Sequence, residues 1–428
     1  MALTLRCALL AMLGAPVALI WPSWFWLLYV ALAAGVVFDL VGAGAPSGLS
    51  VTRAGDVSTR LGETAAVSLL VSNRGRRTVR GRVRDAWPPS AGSSPRDQEL
   101  VVPPGERRRI DTTLTPTRRG ERRPDRVSVR SVGPLGLAAR QRSTAVPWGL
   151  RVLPSFASRK HLPSRLARLR ELDGAVATHI RGEGTEFDSL REYVVGDDVR
   201  SVDWRATARR GDVVVRTWRP ERDRHVLVVL DTGRTSAGRI ADTPRLDWSM
   251  DATLLLAALA SRAGDRVDLI AVDRTVRAAV ERASVGELLA SLVAAMTPLE
   301  PALVEPDHRR VLAEVVRRTR RRSLIVVLTA LDPAAFEEGW MPVLRQLSRR
   351  HVVVVASVAD PLVEEMAHSR GDAAAVYGAA AAERARGERR RVSTALRRFG
   401  IEVVDAPPDE FAPALADAYL ALKAAGRL

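Results

Sequence analysis

The stretch His225-Val226-Leu227-Val228-Val229-Leu230-Asp231-Thr232-Gly233 holds five consecutive aliphatic residues, an acidic residue directly after them, and then a Thr-Gly turn. Apolar runs of this length without alternation are the mark of strands buried on both faces, as in parallel sheets covered by helices. The same pattern recurs at Val267 to Val272 before Asp273, Leu324 to Leu328 before Asp332, Val352 to Val358 before Asp360, and Ile401 to Val404 before Asp405. Helical stretches fall between them at Arg245 to Ala263, Val285 to Met296, Pro306 to Arg318, Asp372 to Phe399 and Glu410 to Ala425. Strand and helix in alternation predict an α/β fold with a doubly wound, mostly parallel sheet over residues 225–428. In such a sheet the five strand-end aspartates converge on the edge where ligands bind, although strand-end Asp also serves to cap the next helix.

Working back from this region, residues 155–224 read as a basic connector with a short helix over Ser164 to Leu172, followed by a polar and aromatic segment. Residues 45–154 show short β-like runs, among them Ala65 to Val71, Thr78 to Val83, Arg109 to Leu114 and Arg126 to Val132, with turns such as Ser72-Asn73-Arg74-Gly75 and Gly133-Pro134 between them. These predict a small β-sandwich-like module of immunoglobulin size.

Residues 1–44 are different again. Leu3 to Trp21 carries one charge, Arg6, and Trp24 to Val41 one, Asp39; each run approaches the roughly 20 residues that cross a bilayer as a helix. Trp21-Pro22-Ser23-Trp24 between them reads as an interfacial turn, so a transmembrane helical hairpin is expected. A cleaved signal peptide is the competing reading of the first run, but no small-x-small site precedes the second. Arg6 on one flank, and Arg53, Arg60 and the Arg-rich stretch from Arg74 on the other, place both ends and the soluble body on the cytoplasmic side of the cell membrane by the positive-inside rule.

Composition constrains function less than it first suggests. The chain of 428 residues has a formal charge of +16, yet of 65 basic residues only Lys160 and Lys423 are lysine. Such an arginine bias follows from a GC-rich coding sequence, and the basic residues are not interleaved with aromatics as on nucleic-acid surfaces. A lipid bilayer, rather than nucleic acid, is the expected partner. The single cysteine, Cys7, lies in the first apolar run and excludes an intramolecular disulfide framework. There is no Gly-rich phosphate loop and no Gly-x-Ser-x-Gly elbow. The six histidines are scattered; His179 and His225 show no evident Ser or Cys partner, and His225, opening a buried strand, is expected to serve the core.

The densest constellation is Gly184-Thr185-Glu186-Phe187-Asp188-Ser189-Leu190-Arg191-Glu192-Tyr193, with Gly196-Asp197-Asp198-Val199-Arg200 and Asp203-Trp204-Arg205-Ala206-Thr207-Ala208-Arg209. Arg191, Arg200, Arg205 and Arg209 alternate with Glu192, Asp197, Asp198 and Asp203, which predicts a salt-bridged platform anchored by Tyr193, Trp204 and Trp218. Arg, Trp and Tyr are also the usual hot-spot residues of protein interfaces.

These motifs, with Val228 to Asp231, Gly264 to Val267 and Tyr419 to Lys423, resemble the bacterial membrane-anchored proteins with a von Willebrand factor A-like domain labelled "domain of unknown function 58". The resemblance covers Gly182 to Leu428, with weaker similarity in Arg118 to Leu137. It implies a von Willebrand A-like, Rossmann-like sheet and a role beside an AAA+ ATPase of the MoxR type, in assembly or maturation of client proteins; the lack of a catalytic set among the residues makes a non-enzymatic role the expectation. It also implies a candidate Mg²⁺ site: Asp231-Thr232-Gly233-Arg234-Thr235 stands where A-like domains carry Asp-x-Ser-x-Ser. Asp231 and Thr235 match in kind, Gly233 lacks a hydroxyl, Arg234 adds a cation, and Asp332 is the candidate distal carboxylate, so the site is expected to be degenerate. The competing functional reading is a metal-dependent phosphodiesterase or nuclease at the membrane, using Asp197, Asp198 and Asp203.

Overall fold

A computed structural model describes residues 2–14, 16, 22–179, 186–195, 197–219 and 224–428. The signature residues Gly184, Thr185 and Gly196, and Trp21 of the expected turn, lie outside them, as do the side chains of His179 and Trp218. The fold is mixed α/β and divides into two compact units, Met1–Leu153 and Pro154–Leu428.

In the first unit, a helix over Pro22–Gly42 carries the second apolar run. Among the described residues it contributes the one helix long and apolar enough to cross a membrane. Pro22, Ser23 and Trp24 belong to its first turn rather than to a separate loop, a position where proline's missing N–H costs nothing. The first apolar run also begins differently from the expectation. Ala2–Leu3 pair as a short strand with Ala138 and Ala139, and a helix follows over Leu5–Met12. Thr4 makes this change of structure: its hydroxyl donates to the Gly136 carbonyl at 2.6 Å and accepts from the Cys7 N–H at the helix start. The two apolar segments touch where the Tyr29 hydroxyl donates to the Ala11 carbonyl at 2.8 Å.

The lone acid of the second run has a structural use. Asp39 is fully buried, and its carboxylate accepts from the backbone N–H groups of Leu135 (2.6 Å), Leu137 and Ala138 (3.0 Å). A Cβ on Gly133 would sit 2.5 Å from the Asp39 side chain. Glycine is therefore required where this helix end meets the β module.

That module packs a five-stranded antiparallel sheet, with strands 2–3, 138–144, 127–132, 79–85 and 97–102 in that order, and a four-stranded antiparallel sheet of 49–55, 65–73, 107–114 and 93–94. Leu69, Val71 and Ile110 from the second sheet meet Val83, Leu100 and Val129 from the first in one core. The alternation of buried and half-buried positions along Val127–Val132 is the period-two pattern of such a layer. Arg53 and Asp85 form a buried ion pair between the two sheets, with Trp87 Nε1 donating to the same carboxylate at 2.8 Å. Arg53 is thus a core residue and not one of the free flanking charges on which the orientation argument drew.

The second unit is built on a six-stranded sheet in the order 276–280, 266–272, 225–231, 324–328, 352–358, 402–406. Five strands are parallel, and the edge strand Val276–Val280 is antiparallel to its neighbour. Numbered along the chain this is third, second, first, fourth, fifth, sixth, the doubly wound order whose switch point lies between His225–Asp231 and Leu324–Leu328. Leu227, Val229, Ile325, Val327, Val353 and Val355 bury one face against helices that include His308–Arg318 and Met341–Ser348. Val226, Val228 and Leu230 are equally buried on the other face, where Arg245–Arg262 and Pro408–Ala424 pack. Burial on both faces accounts for the unbroken apolar runs.

Residues 155–224 are part of this unit. The predicted connector helix is longer than expected, Leu162–His179, and is held by the Arg165–Asp417 pair at 2.9 Å. Glu186–Glu192 and Val214–Arg219 form an antiparallel hairpin.

Candidate functional site

Strand His225–Asp231 delivers Asp231 to the switch point with 1% of its surface exposed. Its Oδ2 accepts from the hydroxyls of Thr235 (3.0 Å) and Thr329 (2.6 Å), and its Oδ1 from the Gly233 N–H (2.7 Å). Ser236 Oγ donates to the Asp231 carbonyl at 2.6 Å. Burial pushes the Asp231 carboxyl above its ordinary range, against the three hydrogen bonds that favour the anion, and the nearby Asp273 charge adds to the rise. Asp273 accepts from Thr232 Oγ1 at 3.2 Å, the Thr275 N–H at 3.0 Å and Arg277 at 2.9 Å; burial works against these bonds, which together hold its carboxyl below the usual value.

The sequence-predicted metal residues are thus brought together only in part. Asp231 and Thr235 are bonded to one another. Asp332 instead caps the next helix, its Oδ1 accepting from the Ala335 N–H at 3.0 Å, and no hydrogen bond joins it to Asp231. Thr329, at the end of the Leu324–Leu328 strand, supplies the second hydroxyl; it stands in the Thr329-Ala330-Leu331-Asp332 stretch, where only the carboxylate had been singled out. Arg234 is turned to Glu305 at 2.6 Å. Among the described residues, no group of three or more His, Cys, Asp or Glu side chains is placed to hold a metal. One closed carboxylate and two hydroxyls fit a divalent cation poorly, since Mg²⁺ keeps open water positions and takes one or two accessible carboxylates.

At the opposite, amino end of the sheet the structure supplies a partner that the sequence did not suggest. Ser323 Oγ lies 3.2 Å from His225 Nδ1, and His225 Nε2 lies 2.9 Å from Asp268 Oδ2. The order Ser, His, Asp is that of a nucleophilic triad, but Ser323 is 4% exposed and donates to the Arg321 carbonyl at 3.0 Å. The adjoining space is about 30 Å³, room for one water. Asp268 also binds Arg266 at 2.6 Å and the Arg282 N–H at 2.9 Å. Although burial works to raise it, these partners and His225 hold its carboxyl far below the ordinary range. The trio ties three strands together, as expected for a core histidine.

The signature segment forms an exposed structure with its own bonding. Arg191 pairs with Asp197 at 2.5 Å, and Asp197 Oδ2 accepts from the Val194 N–H at 3.0 Å; the Arg191 bond holds the Asp197 carboxyl below its usual value. The Tyr193 N–H donates to the Val213 carbonyl at 2.8 Å. Asp198 caps the turn at Val199–Ser201 through the Arg200 N–H. Asp203 caps the helix Trp204–Arg210 through the N–H groups of Arg205 and Ala206 and pairs with Arg216 at 2.8 Å; the Ala206 N–H and Arg216 keep it acidic. Arg191 and Asp197 pair with one another, while the remaining partners differ from those expected. Arg216 replaces the helix arginines, and Arg200, Arg205 and Arg209 remain exposed. Trp204 is 66% exposed rather than an anchor beneath the surface. The three acids of the hydrolase reading are each committed to a backbone cap or an arginine.

The sequence family described as "Protein of unknown function DUF58" matches residues 189–396. Uncharacterised proteins of Mycobacterium bovis and Mycobacterium tuberculosis are each 30% identical over 187 residues, 42% of this chain and 57% of theirs. The match thus spans little more than half the length of these relatives. Among solved structures, the CARDB domain of a Pyrococcus furiosus protein is 19% identical over 24% of this chain and 91% of its own, with a TM-score of 0.19. A GH20 exo-β-N-acetylglucosaminidase of Vibrio harveyi is 9% identical over 84% of this chain and 75% of its own, with a TM-score of 0.22. Scores this low carry no argument.

Proposed function

We propose that this chain is a non-enzymatic, membrane-tethered interaction protein whose α/β unit, read as von Willebrand factor A-like, works with an AAA+ ATPase of the MoxR type in maturation of client proteins. Two transmembrane helices would hold the soluble body on the cytoplasmic face, where such an ATPase is found. The observation that carries the reading is the signature segment. Val195 is 95% and Trp204 66% exposed, with Val194 and Val199 exposed beside them, on a base fixed by the Arg191–Asp197 and Arg216–Asp203 pairs. A rigid base lowers the ordering cost of association, and an exposed Trp in a segment whose Arg200, Arg205 and Arg209 are exposed as well is the composition of an interface hot spot for an acidic partner surface. The doubly wound sheet order supports the A-like assignment. The docking reading requires no metal at Asp231.

The test is site-specific photo-crosslinking from position 204 in native membranes. An AAA+ ATPase in the crosslinked product, lost in the Val195→Asp variant, is the expected result. Wild-type chain that sits in the membrane and crosslinks to no ATPase overturns the proposal.

A further inference from the structure

On the carboxyl edge of the same sheet, beyond the Leu324–Leu328 strand from Asp231, a cavity of about 570 Å³ opens between the strand ends at 330–333, 359–361 and 405–407 and the helix Ala373–Arg398. This is within the usual size of a small-molecule site, and its wall has the usual make-up: apolar surface from Leu331, Pro333, Val363 and Pro407, with a few charged groups converging on it.

Most of those charges are already matched. Arg389 binds Asp405 through Nε and Nη2, and the same Nη2 reaches Ser357 Oγ at 3.2 Å. Arg386 binds Glu364 at 2.9 Å and Glu383 at 2.5 Å. Arg390 faces Glu383 at 3.8 Å, and Glu388 pairs with Arg384 at 2.9 Å. Asp360 caps its helix through the Leu362 N–H, as Asp332 does through Ala335.

Arg245 is the exception. Arg245 lines the cavity, its Nε is buried without a hydrogen-bond partner, and among the described residues it has no ion pair. Burial, with Arg389 pushing the same way, lowers its pKa against the pull of Asp360, Asp332 and Asp405. A lysine in this position could relieve the cost by losing its proton, but a guanidinium stays charged. A desolvated cation of this kind is stabilised by an anion.

We propose that this cavity binds a monocarboxylate carried on an apolar body, with Arg245 as the fork that takes the carboxylate. The choice of anion follows from the charge balance. Arg245, Arg386, Arg389 and Arg390 stand in the wall against Asp332, Asp360, Glu364, Glu388 and Asp405, so a monoanion meets less repulsion there than a phosphate dianion. A carboxylate's two oxygens also match the planar guanidinium in a bidentate pair. The proposal stands apart from the docking reading, since it involves neither Trp204 nor an ATPase.

The experiment titrates the full-length chain in detergent with N-acetyl-leucine, its uncharged relative N-acetyl-leucinamide, and inorganic phosphate, followed by ligand-observed NMR. Saturable binding of the acid is expected, with the amide about ten- to a hundredfold weaker, the value of a charge-assisted hydrogen-bond pair, and no competition from phosphate. Arg245→Met should lose the acid to the same degree. Ala385→Trp, which fills the cavity from the helix and leaves Arg245 in place, should abolish it too. Absence of binding to the wild type, equal binding of acid and amide, competition by phosphate at equal concentration, or undiminished binding in either variant overturns the proposal.

Discussion

Two polar sites share the carboxyl edge of one sheet and have opposite character. Around Asp231 every oxygen is used: three donors converge on a carboxylate sealed from solvent. Arg245 borders an open cavity, and its buried Nε is unpartnered. The first arrangement is paid for by folding alone, because the donors come from the chain itself. The second leaves an interaction unmade, and an unmade interaction beside a cavity points to a ligand. A conspicuous motif at a strand end is therefore weaker evidence of binding than an unsatisfied group without any motif.

The sharpest way to break this contrast is to empty the closed site. Asp231→Ala strands the Thr235 and Thr329 hydroxyls and the Gly233 N–H, and should cost about 3 kcal/mol, measured by denaturant unfolding of the detergent-solubilised chain. Thr329→Val removes one donor and keeps the shape, and should cost about 1 kcal/mol. A stability unchanged by Asp231→Ala would show that the site is not the closed structural unit described, and would return the question of an ion or ligand there.

The amino end of the same strands sharpens the contrast through pH. Asp231, raised by burial, contributes stability that is present at low pH and lost as pH rises through its folded value. Asp268 has the opposite sign. Held below its ordinary value of 3.8, it contributes stability that is fully present above that value and is lost as pH falls toward its folded one. Unfolding midpoints measured between about pH 5 and pH 2.5 should fall for the wild type and fall less steeply for Asp268→Asn. Equal slopes in the two proteins would mean that His225, Arg266 and the Arg282 N–H do not stabilise the anion.

The difference between the two sites also explains what the amino-acid sequence could and could not disclose. The parallel strands were legible because burial on both faces leaves continuous aliphatic runs, and Thr235 was legible because the loop after Asp231 resembles the Asp-x-Ser-x-Ser loop of A-like domains. Thr329 was not, although it stands three residues before the Asp332 that drew attention. Which of the two meets Asp231 depends on where the strand ends and which side chain then points inward. The edge strand Val276–Val280, half exposed and only five residues long, gave no run to read. Arg53 looked like a flanking charge because its partner, Asp85, is 32 residues away on the other sheet. Arg245 was hidden by composition: in a chain so rich in arginine, one more is unremarkable until its neighbours are seen to be occupied.

The smallest expected effect decides most about Arg245. If its guanidinium were part of a folding network, Arg245→Met would destabilise the protein as any broken buried pair does, by about 3 kcal/mol or more. If it is held in reserve for a ligand, methionine keeps much of the apolar stem, removes a desolvated charge, and releases Arg389 from a like-charged neighbour. The unfolding midpoint should then stay within about 1 kcal/mol of the wild type, on the stabilised side, while N-acetyl-leucine no longer binds. Stability retained with binding lost is the signature of a residue that folding does not need. A large destabilisation would move Arg245 into the same class as Asp231 and remove the contrast between the two sites.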